Sequence, residues 1–196
     1  MSNPFFKNEG PFEASLLCQI LNIDSNIANK SILDIKDLFT AEENDLTFFH
    51  SKKYKDIAKK TRASFCIISD NLTSYLPDSC QPLIVKNVLA STSKVTQKFY
   101  PSSINDNYDN SVNDIAETNF SENVNHGKNV LVGKNVSIGN NCLIGHNTII
   151  EQNVSIANNC SIGSNVIIRN TLIKNNVKVL DNCVIGKHGF GFFPIK

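Results

Sequence analysis

What this sequence lacks narrows it first. Its 196 residues carry 19 Lys and Arg against 18 Asp and Glu, a net charge of +1, so no excess of positive charge is present for gripping a nucleic acid. No Lys/Arg run offers a footprint for a membrane surface, and no stretch approaches the ~18 consecutive apolar residues that span a bilayer. The first ten residues are polar apart from Phe5 and Phe6, without the long apolar core of a secretory leader. None of the six cysteines forms a C-x-x-C pair, and no Cys/His cluster has zinc-ligand spacing. Cys18, Cys66, Cys80, Cys142, Cys160 and Cys183 therefore read as buried thiols in a reducing compartment. The absences point to a soluble, cytoplasmic protein with no metal, no cofactor, no nucleic-acid partner and no membrane span.

What is present changes along the chain. Of 28 asparagines, 20 lie after residue 100, and eight of the nine glycines lie at or after Gly127. The first half has a mixed composition. It predicts a short helix opened by Pro11 and Glu13 and running through Leu21, with Leu16, Leu17, Ile20 and Leu21 on one face. Leu46 to His50, Ser64 to Ser69 and Pro82 to Val85 read as short strands, and Asn87 to Tyr100 as a helix. These make a small α/β domain over residues 1–100. Residues 101–118, rich in Ser, Asn and Asp, read as a linker.

The second half has a period of six. Asparagine recurs at Asn123, Asn129, Asn135, Asn141, Asn147, Asn153, Asn159 and Asn165, each followed by Val, Cys or Thr. From Val130 on, a Val or Ile lies two further along, which is the alternation of a strand with one buried face. Asn and Gly between the strands tolerate the positive φ that a sharp corner needs. Such regularity predicts a solenoid over residues 119–196. After Ile168 the register slips by one, since Ile173, Val179 and Ile185 continue the interior row and Asn170, Asn176 and Asn182 the corner row. One side is thus five residues long, with a bulge expected near Arg169–Thr171.

Three segments carry a resemblance. The six-residue units are similar to those of hexapeptide-repeat proteins, whose coils are left-handed, triangular parallel β-helices of eighteen residues per turn. Asp45-Leu46-Thr47-Phe48-Phe49-His50-Ser51-Lys52-Lys53-Tyr54 resembles the uridine-binding segment of the UDP-3-O-acylglucosamine N-acyltransferases. Val184-Ile185-Gly186-Lys187-His188-Gly189-Phe190-Gly191-Phe192 resembles that family's Gly-Phe-Gly-Phe segment, and Phe5 to Phe12 resembles its start.

The resemblance implies an α/β uridine-nucleotide-binding domain followed by a left-handed parallel β-helix. It also implies a homotrimer of the lipid A pathway, in which a 3-hydroxyacyl chain passes from acyl carrier protein to the 2-amino group of UDP-3-O-acylglucosamine. Substrate would be bound by Phe48, Ser51 and Tyr54, with His188, Phe190 and Phe192 lining the groove. Lys52 and Lys53 would face the diphosphate. Ser51 departs from the asparagine usual in the family. The family's catalytic histidine follows the Gly-Phe-Gly-Phe segment and would lie after Lys196, so the resemblance implies a β-helix cut short and a 196-residue chain inactive alone. His146, in Ile144-Gly145-His146-Asn147, lies too early in the repeat to correspond to it. Two alternatives stay open: a non-catalytic UDP-sugar-binding remnant, and a coenzyme A-dependent nucleotide-sugar N-acetyltransferase with His146 as base.

Overall fold

The computed structural model describes residues 3–24, 30–104, 107–118, 120 and 124–187. They divide into two compact units, residues 6–104 and residues 107–187 together with 3–5.

The first unit is built on a four-stranded parallel sheet in sequential order, β3 (Asp34–Ile35), β4 (Asp45–Phe49), β5 (Phe65–Ile68) and β6 (Gln81–Ile84). Phe65-Cys66-Ile67-Ile68 is buried along its whole length, as expected of a strand covered on both faces. Leu46, Phe65, Ile67 and Leu83 face the helices α1 (Ala14–Leu21) and α3 (Val88–Phe99), while Phe49, Cys66, Ile68 and Leu72 fill the core on the other face. Each such side chain contributes roughly 1.5–3 kcal/mol through removal from water. Asn87 starts α3, its side chain accepting the Ala90 N–H at 3.1 Å. Two short strands, β1 (Phe12–Glu13) and β2 (Ser31–Ile32), pair antiparallel beside α1.

The first helix differs from its sequence reading. It begins at Ala14, after β1, and its buried face is Ala14, Leu17, Cys18 and Leu21, with Leu16 and Ile20 only half-buried. Small side chains let α1 pack closely on α3, and that outweighs the greater hydrophobicity of Leu16 and Ile20.

In the second unit, β7 (Asn113–Asp114) is followed by β8 (Val124–His126), β9 (Leu131–Val132), β10 (Ser137–Ile138), β11 (Cys142–Ile144), β12 (Ile149–Ile150), β13 (Ser155–Ile156), β14 (Ser161–Ile162), β15 (Ile167–Ile168), β16 (Leu172–Ile173), β17 (Lys178–Val179) and β18 (Val184–Ile185). Every third strand pairs in parallel, giving three sheets, β10-β13-β16, β8-β11-β14-β17 and β9-β12-β15-β18. This is a left-handed β-helix of hexapeptide repeats. Inward residues such as Val130, Ile144, Val154, Cys160 and Ile168 form one continuous core. Thr148 is the buried exception, and its hydroxyl donates to the Gly163 carbonyl at 2.9 Å. Part of the stretch read as a linker is ordered here: β7 pairs antiparallel with β9, and Ile115 is buried in the core.

Each corner is an asparagine at positive φ, between 48° at Asn170 and 62° at Asn176 and Asn182. Their amides stack from coil to coil, Asn129 onto Asn147 at 3.0 Å and Asn135 onto Asn153 at 3.2 Å. Asn123 lies outside the described residues. The five-residue side falls where the sequence put it: Ile156 pairs with Ile173, and the Thr171 hydroxyl donates to the Arg169 carbonyl at 2.6 Å to close the shortened corner. Gly186, at φ 77°, lies against that carbonyl in the next coil, leaving no room for a Cβ.

Outward residues differ among the three faces. One carries Leu131, Ile149, Ile167 and Val184 in register, an unbroken apolar row. The others carry Asn125, Leu143, Ser161 and Lys178, and Ser137, Ser155 and Leu172.

Replacing a corner asparagine tests this construction. Asn153→Ala loses the amide stack and must hold an unfavourable torsion, at a cost of roughly 1–2 kcal/mol for the torsion alone. Asn153→Gly keeps the torsion, so urea denaturation should show the alanine variant to be the less stable of the two.

Candidate functional site: an aromatic pocket at the end of a parallel sheet

Chain polarity makes the carboxyl ends of parallel strands a natural place for a ligand, because the loops that leave them define a crevice. In the first unit that edge holds a cavity of about 280 Å³ lined by Asp37, Leu38, Phe39, Phe48, Phe49, His50, Tyr54 and Ile57.

Strand β4 ends at Phe49 and delivers Phe48 and His50 to the same side of the sheet, since side chains alternate along a strand. Their rings lie nearly parallel, with centroids 6.3 Å apart. The chain then turns sharply. The Ser51 hydroxyl accepts the Lys53 N–H at 3.4 Å and starts the short 3-10 turn Lys52–Tyr54, which leads into α2 (Lys55–Ala58). That turn brings Tyr54 back to within 5.7 Å of His50, ring to ring. Lys53 holds its ammonium 5.9 Å from the Tyr54 ring, and Lys52 stands 5.8 Å from Tyr75. One cation is thus placed beside the aromatic pocket.

The opposite wall is the loop between β3 and β4, fixed by charge. Asp45, 2% exposed, takes the Lys36 ammonium at 2.8 Å and the Glu42 N–H at 2.9 Å. The hydrogen bond to Asp45 pushes the Lys36 pKa up, against the burial that would lower it. Glu42 also pairs with Arg62. Within the loop, Asp37 accepts the Phe39 N–H at 2.8 Å, the Thr40 N–H at 3.1 Å and the Thr40 hydroxyl at 2.5 Å. The Thr40 hydroxyl, with the two N–H groups, holds the Asp37 carboxyl below the ordinary carboxylate range despite some burial. Phe39 is carried at the mouth of the cavity with 82% of its surface exposed.

Of the substrate residues expected from sequence, Phe48 and Tyr54 line the cavity. Ser51 does not, its hydroxyl being used in the turn. His188, Phe190 and Phe192 lie outside the described residues. Asp37, Leu38 and Phe39 carry no local sequence signal, because the loop that presents them is set by a charge pair nine residues apart, and Ile57 joins them from α2. Among the described residues no group of three or more His, Cys, Asp or Glu is placed to hold a metal ion.

His146 sits at an exposed solenoid corner, in a ladder of backbone caps. Its Nδ1 accepts the Lys128 N–H at 2.8 Å, while its own N–H donates to the Ser164 hydroxyl at 3.2 Å. Ser164 N–H continues the ladder by donating to Asp181 at 2.7 Å. A neutral His146 accepting at Nδ1 carries its proton on Nε2, which leaves no free acceptor nitrogen to act as a base. His126 is exposed, with Nδ1 3.0 Å from the Gly127 carbonyl.

The repeats and the pocket each have relatives. Residues 135–170 match the bacterial transferase hexapeptide profile of six repeats. Residues 29–98 match the family described as UDP-3-O-(3-hydroxymyristoyl) glucosamine N-acyltransferase, LpxD, and the pocket lies inside that match. The chain is 34% identical over 106 residues to UDP-3-O-acylglucosamine N-acyltransferase 2 of Legionella pneumophila (strain Paris), a match covering 52% of this chain and 31% of the relative. It is 31% identical over 103 residues to UDP-3-O-acylglucosamine N-acyltransferase of Rickettsia rickettsii (strain Sheila Smith), covering 51% of this chain and 30% of the relative. The matched segment is thus about a third of the length of these relatives. Over residues 29–98 the first unit is thus similar to the LpxD family.

The Asp37 turn has a pH signature. Because its folded carboxyl is held low, the turn is fully stabilised above the unfolded pKa of about 3.9 and loses that support as pH falls through the lower folded value. Hydrogen-exchange protection of the Phe39 and Thr40 amides should therefore be greater in wild type than in Asp37→Ala at pH 7. The two should converge once the pH falls below the folded value.

Proposed function

We propose that the first unit binds the uridine end of a UDP-sugar and that the chain serves N-acyl transfer in lipid A biosynthesis. The substrate would be UDP-3-O-acylglucosamine and the donor 3-hydroxyacyl-acyl carrier protein. In that reaction the sugar's 2-amine attacks the acyl carbonyl, an amide C–N bond forms, the thioester C–S bond breaks, and the amine proton leaves with the carrier thiol. The reading places no general base at His146, whose Nδ1 is engaged by the Lys128 N–H.

The observation that carries the proposal is an aromatic cavity at the carboxyl end of β4, lined by Phe48 and Tyr54, with Lys53 beside it. A planar base is the natural occupant of such walls, and stacking on an aromatic face contributes roughly 1–3 kcal/mol per base. The adjacent ammonium suits the diphosphate that follows the ribose. Ser51 enters this reading as the residue that shapes the turn carrying Tyr54. Calorimetric titration of the 196-residue chain with UDP-N-acetylglucosamine should show binding, weakened roughly tenfold or more in Tyr54→Ala. Absence of binding by wild type, or an unaffected Tyr54→Ala, would contradict the proposal.

The proposal includes a homotrimer formed through the β-helix. The row Leu131, Ile149, Ile167 and Val184 supports it, because an unbroken apolar ladder is the solenoid face best suited to burial against other copies. Ile149→Lys places a charge at its middle. Sedimentation should show wild type as a trimer and this variant shifted to monomer.

A further inference from the structure

The walls just described explain affinity for a flat ring but not the choice of ring, because every base has a stacking face. Selection needs a hydrogen-bonding group aimed at the base edge. The polar side chains lining the cavity are Asp37, His50 and Tyr54. Asp37 is spent on the Phe39 and Thr40 amides and the Thr40 hydroxyl. Tyr54 presents its ring, with the Lys53 ammonium 5.9 Å from the centroid. Ser51, beside them in sequence, is used in the turn and does not line the cavity. Two groups remain without a hydrogen bond to the described residues, the Tyr54 hydroxyl and the His50 ring. His50 is exposed, its ring centroid 6.3 Å from that of Phe48 and 5.7 Å from that of Tyr54, and a neutral imidazole nitrogen is a better acceptor than a phenol oxygen.

We infer that His50 is the specificity residue of this pocket, its acceptor ring nitrogen taking the N3–H of a uracil stacked against the neighbouring rings. The inference rests on the nucleotide reading above. A neutral imidazole has one acceptor and one donor nitrogen, and the acceptor matches an imide N–H. Cytosine presents an acceptor at N3, so the tautomer that accepts from uracil meets a lone pair there, and pairing with cytosine requires the ring to move its proton to that nitrogen.

The test is titration of the full chain with UDP, CDP and N3-methyl-UDP. Wild type should prefer UDP over both others by roughly tenfold, the scale of one lost hydrogen bond. His50→Phe keeps a ring but has no acceptor, and should bind the three nucleotides alike. His50→Gln restores an acceptor oxygen and should recover part of the preference. His50 is exposed, so these changes leave the core intact, which circular dichroism verifies. A preference for UDP that survives in His50→Phe, or no preference in wild type, overturns this inference while leaving the nucleotide site standing. Failure of wild type to bind any of the three overturns both.

Discussion

Every coil of the second unit depends on a backbone torsion that L-residues resist. Ten corner asparagines, from Asn129 to Asn182, hold φ between 48° and 62°. Without that left-handed step a strand of two or three residues cannot turn toward the next face, and the three sheets cannot close around one apolar core. Asparagine suits the corner twice over. It tolerates the torsion, and its amide bonds to the asparagine one coil away, so that the strained positions are tied into columns. The strands add little individually, and stability resides in stacking.

The first unit solves a different problem by a different means. Its parallel sheet is covered on both faces, and the aromatic cavity opens at the carboxyl end of β4. What shapes that space is the buried carboxylate of Asp45. A charge in that position is tolerated because Lys36 and the Glu42 N–H meet it, and those bonds hold the loop carrying Leu38 and Phe39. The cost of displaying Phe39 to water is thus met by a loop with little freedom to fold it away. The same loop supplies one wall of the cavity, and β4 with its following turn supplies the other.

Much of this was legible from sequence, and the failures have physical causes. The six-residue period fixes strands, corners and the five-residue side, because each unit repeats the same local demand. Strands β4 to β6 and helix α3 were visible in their apolar runs. The α1 face was misjudged because close packing chose Ala14 and Cys18 over Leu16 and Ile20. Phe48 and Tyr54 were found through resemblance, whereas Phe39 and Asp37 were not, since no local pattern reveals a loop anchored by a distant charge. The cap made by His146 was equally hidden, because its partner Lys128 is eighteen residues away and becomes a neighbour only when the coil closes.

The most direct test of this account is a crystal structure of the chain with UDP-N-acetylglucosamine. The account predicts uracil in the cavity at the end of β4, stacked against Phe48 or Tyr54, with the diphosphate toward Lys53. Nucleotide bound elsewhere, with this cavity empty, would contradict it.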